Sequence, residues 1–450
     1  MNRTLSDFAR ACGGELIGPD RAYNGVSSDT RTIKPGELFV ALRGPRFNAN
    51  EFVGAAETAG AAGAVVDART DRALAQIRVG DTLEALTRSS VAWRGGFKLP
   101  VVGVAGSNGK TTVKELTATI LARAGNTLAT RGSLNNHIGV PLTLHRLDAT
   151  HRFAVIEIGA NHPGEVASLV KLAQPTVGLI TNAGAEHLEG FGSIEGAARA
   201  EGEMVADLPA EATAVLNADD EFIGLWRGMT RARVVTFGVE KPADYSAADI
   251  HTAIDGGFVT RFTLNSPAGS TPIELHLAGR HNVANALCAA AAAVAAGASL
   301  EDVRTGLATM RPVPGRLQFK TAPSGAWIVD DSYNANPSSM KAGIEVLAGV
   351  DARRWLVMGD MGELGDFAPA SHEEIGRFAR DHRIDRLFAT GKLAALAVEA
   401  FGTGAQWFSD TETLARAVNA ELSREVCVLV KGSRSNRLER VVDALVGKTH

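Results

Sequence analysis

The segment that most limits the possible folds of this chain is VVGVAGSNGKTTVKELTATIL, residues 101–121. An apolar run over 99–105 leads into a glycine-rich turn that carries a lysine, and a helix-like pattern follows. A strand, a turn of this kind and a helix, in this order, form the phosphate cradle of proteins that bind ATP or GTP. The alternative is an ordinary turn that contains glycines. Because the strand, the GKT sequence and the helix occur together, nucleotide binding is the favoured interpretation.

Each residue type in the glycine-rich turn suits contact with phosphate. The turn's backbone N–H groups and the positive end of the following helix face the same point. Gly106 and Gly109 leave room for phosphate oxygens, and Lys110 would neutralise the β- and γ-phosphates. Thr111 or Thr112 would offer a hydroxyl to Mg²⁺. We therefore expect the nucleotide to contact Gly106, Ser107, Asn108, Gly109, Lys110, Thr111 and Thr112.

Composition and charge exclude several kinds of protein. With a formal net charge of −4, the chain has no electrostatic preference for nucleic acid or for an anionic membrane. Cys12, Cys288 and Cys427 are far apart, which argues against a disulfide framework or a zinc site and is typical of a reducing cytosol. Residues 1–18 contain no signal-peptide pattern, and the alanine-rich segment 286–300 is expected to be a buried helix. We therefore expect a cytoplasmic protein.

Strands and helices alternate along most of the chain, which predicts an α/β fold. At about 150 residues per domain, a chain of this length predicts three domains. We expect an α/β domain at 1–97, a central parallel-sheet domain with the phosphate-binding loop at 98–312, and a Rossmann-like α/β domain at 313–450. Residues 247–278 alternate in polarity and predict an antiparallel patch, and the proline-rich segment 311–318 predicts a hinge. The strands predicted beyond residue 98 are 101–105, 153–158, 176–181, 212–216, 234–237, 326–329, 354–358, 386–389, 405–408 and 426–430.

Charged residues follow several of these apolar strands. Glu157 ends one strand, where a carboxylate is costly unless it meets a cation or bonds to the backbone, and a metal role is favoured. His187 lies in a glycine-rich loop after another strand, where a structural histidine and a ligand are equally plausible. In the third domain, the segments DDSYNANPSSM, MGDMGELG and KGSRSNRLE each follow a strand. Because parallel strands end at one edge of a sheet, we expect that edge to line a ligand cleft.

Ten segments together resemble those of the Mur ligases, and the resemblance covers nearly the whole chain. In chain order they are SSDTRTIKPGELFVALRGPRFNANEFV, GSNGKTTVKE, GSLNNHIGVPLTL, EIGANHPGEV, TNAGAEHLEGFGS, AGRHNVANALCAAA, PGRLQ, DDSYNANPSSM, MGDMGELG and KGSRSNRLE. Within the family, LNNHIGVPLTL, DDSYNANP and MGDMGELG are similar to the member that adds D-alanyl-D-alanine, rather than to those that add L-alanine, D-glutamate or the third residue.

The resemblance implies an ATP- and Mg²⁺-dependent amide ligase. ATP would phosphorylate the terminal carboxylate of UDP-N-acetylmuramoyl-tripeptide, and the amine of D-alanyl-D-alanine would then displace phosphate. This is the last cytoplasmic step in the synthesis of the peptidoglycan precursor. The first domain would bind the UDP-sugar peptide, the central domain ATP, and the third domain the dipeptide, closing on ATP. No nucleic acid or membrane insertion is implied, and we expect a monomer.

The resemblance also assigns roles to individual residues. Lys110 would hold the β- and γ-phosphates and Thr111 one Mg²⁺, while Glu157 and His187 would hold a second Mg²⁺ that reduces the repulsion between two anions. Asn282 and Arg316 would also contact the nucleotide, and Asp331 would contact its ribose or belong to the network that closes the domains. The UDP-sugar is expected at Ser28, Asp29, Thr30, Arg31, Arg46 and Phe47, the peptide acceptor at Asn135, Asn136 and His137, and the dipeptide or the phosphate at Asn334, Asn336, Lys431 and Arg434.

Two positions depart from the family pattern. Many relatives have a carbamylated lysine whose carboxylate supports a magnesium, and this chain has Glu201 there. We expect Glu201 to replace the modified lysine as a catalytic residue, directly or through a water, so that the enzyme needs no CO₂. Asn50 stands where relatives commonly have histidine, which weakens the expectation of a UDP contact there.

Three other functions compete with this interpretation. A folylpolyglutamate synthase shares the scaffold but lacks a domain of about ninety residues before the phosphate-binding loop. A P-loop switch or motor would hydrolyse ATP without a carboxylate acceptor. A UDP-sugar-binding module without catalysis would not need Lys110, Glu157 and His187, which this chain retains.

Overall fold

The computed structural model describes residues 3–44, 47–185 and 188–447. The first α/β unit contains a mixed five-stranded sheet in the order β1-β7-β6-β3-β2, in which β1 alone runs antiparallel to its neighbour. Apolar clusters cover both faces of this sheet, which is why the residues of β6 are fully buried. Its elements are α1 (Leu5–Cys12), β1 (Glu15–Ile17), β2 (Gly25–Ser27), β3 (Glu37–Val40), β4 (Arg43–Gly44), β5 (Phe47–Asn48), a 3-10 turn (Ala49–Phe52), α2 (Val53–Thr58), β6 (Gly63–Val66), β7 (Gln76–Arg78) and α3 (Thr82–Gly95).

The second unit is built on a six-stranded parallel sheet in the order β13-β12-β11-β8-β10-β9. Its elements are β8 (Val101–Ala105), α4 (Lys110–Ala124), β9 (Thr127–Ala129), α5 (Gly139–Leu144), β10 (Phe153–Glu157), α6 (Glu165–Ala173), β11 (Val177–Ile180), α7 (Leu188–Phe191), α8 (Ile194–Ala206), β12 (Thr213–Asn217), α9 (Ile223–Met229), β13 (Arg233–Phe237), an antiparallel sheet of β14 (Ser246–Ile254), β15 (Phe258–Ser266) and β16 (Gly269–Leu275), and then α10 (Arg280–Ala295) and α11 (Leu300–Thr309).

The alanine-rich segment forms the buried helix α10. Alanines 289–293 on this helix are at most 1% exposed, and they pack into the same apolar cluster as α4 and the antiparallel sheet. Small side chains allow a helix to approach its neighbours closely, so α10 can lie directly beneath the phosphate-binding loop at the start of α4. Among the described helices, none combines the length and apolar character needed to cross a bilayer.

The third unit has a six-stranded sheet in the order β17-β18-β22-β19-β20-β21, in which only β17 is antiparallel to its neighbour. Its elements are β17 (Gln318–Thr321), β18 (Trp327–Asp331), α12 (Pro337–Ala348), β19 (Arg353–Met358), a 3-10 turn (Gly365–Phe367), α13 (Ala368–Asp381), β20 (Arg386–Thr390), α14 (Ala394–Phe401), β21 (Ala405–Phe408), α15 (Thr411–Glu421), β22 (Val426–Lys431), a 3-10 turn (Arg434–Asn436) and α16 (Glu439–Leu445).

The structure confirms the α/β class and the parallel sheets predicted from the sequence. Every strand predicted beyond residue 98 is present within two residues of its expected bounds, and 247–278 contains the expected antiparallel patch. Residues 311–317 form neither helix nor strand between α11 and β17, as expected of a connecting segment. The short strands β1, β2, β7 and β9 were not predicted, because three residues are too few to display an alternation of polarity.

Candidate active site

The phosphate-binding loop lies at the carboxyl end of β8, as predicted. Gly106 and Gly109 have φ angles of +120° and +84°, which side chains rarely adopt. A Cβ atom at Gly106 would lie 2.1 Å from Oγ1 of Thr181, and one at Gly109 would lie 2.5 Å from Oδ1 of Asn285. Nζ of Lys110 donates to the loop carbonyls of Gly106 and Ser107, at 2.7 and 3.0 Å. The lysine therefore already lies across the loop that it is expected to share with phosphate.

The loop is held by residues to which the sequence analysis gave no role. Asn182, just after β11, accepts from the backbone N–H of Asn108 and donates to its carbonyl oxygen, both at 3.0 Å. Thr181 Oγ1 donates to the same carbonyl at 2.7 Å. Both residues belong to TNAGAEHLEGFGS, one of the segments that resemble the Mur ligases, and that resemblance is the sequence signal that could have indicated their role. These bonds fix the orientation of the peptide on which a phosphate would rest.

Glu157, at the end of β10, meets the start of α4. Its side chain is 1% exposed, and its Oε1 accepts from Asn135 Nδ2 at 2.9 Å and from Thr111 Oγ1 at 3.4 Å. Its Oε2 is buried and has no hydrogen-bond partner among the residues that the structure describes. A buried carboxylate oxygen beside a threonine hydroxyl is the donor chemistry that Mg²⁺ prefers, so these residues fit the predicted metal. His187, the third predicted ligand, lies outside the described residues.

Glu201 extends from α8 to the base of the phosphate-binding loop. It is 4% exposed, and its Oε2 accepts from the backbone N–H of Gly106 at 2.7 Å. The carboxylate is thus adjacent to the nucleotide-binding loop, and its replacement of the modified lysine stays a prediction. Hydrogen bonds to a charged acceptor are stronger than neutral ones, so this bond also orders the turn.

Two residues of the third unit contact the phosphate-binding loop. Asn336 donates through Nδ2 to Oδ1 of Asn108 at 2.8 Å, and Arg316 donates through Nη2 to Oγ1 of Thr111 at 3.2 Å. The Arg316 guanidinium also stacks on the ring of Tyr333, 4.4 Å from its centroid. Arg316 was predicted to contact the nucleotide, and Asn336 was predicted near the dipeptide or the phosphate. Both side chains lie at the phosphate-binding loop.

Other residues predicted in the third unit bond mainly to each other. Lys431 is 3% exposed, and its Nζ lies 2.7 Å from Oδ2 of Asp331 and 2.9 Å from the carbonyl oxygen of Asn334. Burial raises the pKa of Asp331, although the Lys431 ammonium opposes that shift. Arg434 is exposed, with its guanidinium 5.9 Å from the Tyr333 ring. Asp331 and Lys431 are register partners on β18 and β22, so this pair joins the two strands at the edge that faces the loop.

The acidic segment MGDMGELG has a structural role at Asp360. The carboxylate of Asp360 accepts from the backbone N–H groups of Lys392, Leu393 and Ala394, at 3.1, 2.9 and 2.8 Å. Its own backbone N–H and carbonyl bond to the side chain of Asn436. Asp360 therefore fastens neighbouring loops of the sheet edge together, because its carboxylate is already bound by backbone donors.

Asn282 lies in the first turn of α10 and is 5% exposed. Its Nδ2 donates to the carbonyl oxygen of Ala278 at 2.8 Å, and its Oδ1 accepts from Asn285 at 3.1 Å. Asn285 in turn lies beside Gly109, where an added Cβ would come within 2.5 Å of its Oδ1. The residue predicted to touch nucleotide is thus joined to the loop through a neighbour that the sequence analysis did not single out.

The acceptor residues predicted in the central unit differ in what they contact. Asn135 bonds to Glu157 and lies against Gly159, where a Cβ would come within 2.7 Å of Asn135 Nδ2. Oδ1 of Asn136 accepts from the N–H groups of Ile138 and Gly139, so it caps the start of α5. His137, the next residue after Asn136, is exposed. Asn135 is therefore the member of this group that reaches the candidate metal site.

The UDP-sugar residues predicted in the first unit lie after β2 and β3, two neighbouring parallel strands. Ser28, Asp29, Thr30 and Arg31 follow β2, and the hairpin of β4 and β5, which carries Phe47, follows β3. The Arg31 guanidinium forms a two-pronged ion pair with Asp29, and these hydrogen bonds lower the pKa of Asp29 to about 2. Phe47 is 55% exposed. Arg46 lies outside the described residues.

Asn50, the second departure from the family pattern, points into the first unit. It is 8% exposed, and its Nδ2 donates to Oδ1 of Asn48 and to Oδ1 of Asp67. Both donor hydrogens of the Asn50 amide are thereby used within the chain. Oδ1 of Asn50 is also buried, and it has no hydrogen-bond partner among the described residues.

Three α/β units, with a phosphate-binding loop where the central and third units meet, are the features by which this class of protein is identified. The family description "Mur ligase middle domain" matches residues 104–293, and "Mur ligase, glutamate ligase domain" matches residues 315–434. The chain belongs to the Mur ligase family. Within that family it groups with the UDP-N-acetylmuramoyl-tripeptide–D-alanyl-D-alanine ligases: that of Escherichia coli K12 is 43% identical over 446 residues, which is 98% of each chain. The resemblance inferred from ten sequence segments is confirmed.

Solved structures agree with this grouping. A crystal structure of MurF from Acinetobacter baumannii is 34% identical and aligns with a TM-score of 0.92, covering 100% of this chain and 99% of that one. The structure of MurF ligase from Thermotoga maritima in complex with ADP is 26% identical, with a TM-score of 0.82, covering 94% and 97%. The three-domain architecture is therefore shared.

Proposed function

We propose that this chain is an ATP-dependent amide ligase that joins D-alanyl-D-alanine to UDP-N-acetylmuramoyl-tripeptide. The observation that carries the proposal is the meeting of Lys110, Glu157 and residues of the third unit at one nucleotide loop. The named activity of relatives that match along 98% of the chain supports the substrate assignment. A nucleotide bound there lies where the central and third units meet, so both can act on its terminal phosphate.

The proposed reaction forms the amide in two steps. The γ-phosphoryl group of ATP is transferred to the terminal carboxylate of the tripeptide, and the dipeptide amine then attacks that carbonyl and releases phosphate. Lys110 and the loop N–H groups would hold the phosphate chain, as the loop geometry allows. Mg²⁺, when bound at Glu157 and Thr111, would offset the repulsion between the phosphate and the attacking carboxylate. Glu157 is oriented for this by Asn135, because that amide occupies Oε1 and leaves Oε2 without a hydrogen-bond donor.

We assign one substrate to each of the three units, with the domain boundaries expected from the sequence. Residues 1–97 would bind the UDP-sugar around Ser28–Arg31 and Phe47, 98–312 would bind ATP, and 313–450 would bind the dipeptide. Asn336 and Arg316 would then act as contacts through which the third unit closes on the nucleotide. His187 and Arg46 keep the roles that the family resemblance gives them.

We further propose that Glu201 supplies the carboxylate that many relatives obtain from a carbamylated lysine. Its burial and its bond to Gly106 put this carboxylate beside the nucleotide loop. A glutamate is shorter than carbamyl-lysine, so its support of a magnesium would pass through a water or through the loop itself. Activity would then be independent of CO₂.

The proposal also concerns location and assembly. The substrates are soluble precursors, and we expect the reaction to take place in the cytoplasm, with a single chain as the catalytic unit. Neither nucleic acid nor membrane insertion has a place in the reaction.

The proposal is tested by ADP release with a panel of acceptors and dipeptides. Purified chain, ATP and MgCl₂ are incubated with UDP-N-acetylmuramoyl-peptides of two to four residues, alone or with D-Ala-D-Ala, L-Ala-L-Ala or D-Ala. We expect sustained ADP release, and the UDP-muramoyl-pentapeptide by mass spectrometry, only with the tripeptide and D-Ala-D-Ala together. ADP release at an equal rate without either substrate would contradict the ligase assignment and favour a P-loop ATPase.

A further inference from the structure

A fully buried lysine, Lys114, lies one helical turn after Lys110 and is not used in the reaction described above. Its side chain is 0% exposed, which is rare for lysine and requires partners. Its ammonium lies 2.8 Å from Oε1 of Glu115 and 3.3 Å from the carbonyl oxygen of Gly132, to which it donates. The third neighbour is Oε2 of Glu157, at 3.7 Å.

The distance to Glu157 distinguishes a charge contact from a hydrogen bond. At 3.7 Å the ammonium attracts the carboxylate, but the separation is too long for a hydrogen bond. Within the described part of the chain, Oε2 accordingly has no hydrogen-bond partner, whereas Oε1 has two donors, Asn135 and Thr111. Lys114 is kept at this distance by Glu115 and Gly132, which bind its N–H donors.

The burial of Glu157 makes a nearby positive charge important for its carboxylate. A carboxylate that is 1% exposed is strongly disfavoured unless a positive charge is near it. Without a metal, Lys114 is the cation that the described residues bring closest to the unbonded Oε2 of Glu157. A lysine that donated directly to Oε2 would compete for the lone pairs that a metal needs.

We propose that Lys114 is a positioning residue that balances the charge of Glu157 before the metal binds and leaves Oε2 open to it. The inference rests on the proposed metal role of Glu157. It concerns the fixed charge of the lysine and the geometry around it. The competing hypothesis is that Lys114 only packs in the core and bonds to Gly132, and that its charge has no effect on Glu157.

The experiment compares thermal unfolding of the full chain and four variants: Lys114→Met, Glu157→Gln, Lys114→Met/Glu157→Gln and the control Lys171→Met. Methionine keeps the length of the lysine stem without its charge, and glutamine keeps the shape of Glu157 without its charge. Lys171 is exposed on α6, so its replacement controls for the loss of a lysine elsewhere. Each protein is measured with EDTA, with a non-hydrolysable ATP analogue, and with the analogue and MgCl₂.

Two results are expected. In EDTA, Lys114→Met lowers the unfolding midpoint by several degrees, and the added Glu157→Gln restores part of that loss, because the uncompensated charge is gone. With the analogue, MgCl₂ raises the midpoint of Lys114→Met by more than it raises that of the original chain, since a divalent cation replaces the missing charge. Lys171→Met behaves as the original chain in all conditions.

The opposite results would overturn the proposal. They are a double variant no more stable than Lys114→Met, or a Mg²⁺ response of Lys114→Met no greater than that of the original chain. If Lys114→Met fails to fold, folding of the double variant supports the proposal, and failure of both while Glu157→Gln folds refutes it. The EDTA comparison requires no substrate or turnover, so its outcome is independent of whether ADP release confirms the ligase activity.

Discussion

Oε2 of Glu201 accepts a 2.7 Å hydrogen bond from the backbone N–H of Gly106, the first glycine of the phosphate-binding loop. The bond joins α8 to the end of β8, and the carboxylate that makes it is 4% exposed. A carboxylate encoded by the gene is thus present, without modification, next to the loop.

This relationship predicts an enzyme that is indifferent to CO₂. In buffer freed of CO₂, ADP release by the original chain should equal the rate in bicarbonate, because no lysine has to be carbamylated. Glu201→Lys should be slow and should gain activity as bicarbonate is added. A large, reversible loss of rate when bicarbonate is removed from the original chain would contradict the role given to Glu201.

The charge of Glu201 should matter more than its shape. Glu201→Gln keeps the side-chain length but loses the charged acceptor for the Gly106 N–H. A hydrogen bond to a charged group contributes about 1.5–3 kcal/mol and one to the neutral glutamine oxygen about 0.5–1.5 kcal/mol, so the difference of about 1–1.5 kcal/mol corresponds to a rate loss of roughly 5- to 13-fold if the loop must be ordered for catalysis. Steady-state ADP release measures this rate loss, and circular dichroism checks that the variant folds. Unchanged turnover in Glu201→Gln would argue that the contact is incidental.

Lys110→Ala should slow phosphoryl transfer severely while leaving the fold intact. Its ammonium donates to the loop carbonyls of Gly106 and Ser107, at 2.7 and 3.0 Å, and its proposed role is to neutralise phosphate. Loss of one such electrostatic group costs about 10²- to 10³-fold in rate. Rapid-quench measurement of ADP formed in the first turnover, with the tripeptide substrate present, tests it. Near-normal first-turnover kinetics would remove Lys110 from the mechanism.

Asn336→Ser should impair closure of the third unit on the nucleotide. The donor to Asn108 is lost because serine is too short to reach it, whereas serine retains the cap of α12 that Asn336 provides to Ser339. A net hydrogen-bond contribution of about 1 kcal/mol predicts a fall in kcat of roughly fivefold. We expect the dissociation constant of ATP to change less than kcat, since Lys110 and the loop N–H groups of the central unit are expected to make most contacts with the phosphates.

The control for that prediction is Glu345→Gln, an exposed change on the same helix. Small-angle scattering with saturating ATP analogue and tripeptide gives an independent readout. The original chain and the control should become more compact on ligand binding, and Asn336→Ser should respond less. Equal compaction and equal kcat in all three proteins would contradict a closing role for the contact.

His145 predicts a loss of stability in acid. It lies between the first and second units, with Nε2 3.0 Å from Oγ of Ser89, and burial lowers its pKa to about 3. The unfolded chain binds a proton near pH 6.5 and the folded chain does not, so stability from this group falls as pH drops from about 6.5 toward 3. At pH 5 the loss from His145 is about 2 kcal/mol.

Urea unfolding at pH 7 and pH 5 measures this effect. His145→Gln, which cannot titrate in this range, should lose less stability between the two pH values than the original chain. The exposed His162→Gln should behave as the original chain does. An identical pH-dependent loss in His145→Gln would show that other groups account for the acid sensitivity.

The sequence was most informative where the chemistry is local. The loop at Gly106–Lys110 and the acid at Glu157 were found because a strand, a turn and the residue that ends a strand are consecutive in the chain. Asn182 and Lys114 were missed because their partners come from distant segments that meet only when the parallel sheet forms. A pattern along the chain contains no information on such neighbours.

Some polar residues that follow strands already bond within the chain. Asp360 follows a strand and is acidic, which suggested a ligand, but three backbone N–H groups at the start of α14 bind its carboxylate. Oδ1 of Asn136 accepts hydrogen bonds from two backbone N–H groups at the start of α5. Nothing in the sequence distinguishes an oxygen that faces a ligand from one that faces the end of a helix, because both occur in polar loops after strands.

The central claim is that the γ-phosphoryl group of ATP passes to the carboxylate of the tripeptide before the amide forms. The most direct measurement uses UDP-N-acetylmuramoyl-tripeptide whose terminal carboxylate carries ¹⁸O, with ATP and D-alanyl-D-alanine of natural composition. Mass spectrometry of the released phosphate should find one ¹⁸O atom for each amide bond made, because the carboxylate oxygen leaves with the phosphorus. Phosphate free of ¹⁸O, released in step with amide formation, would contradict the account.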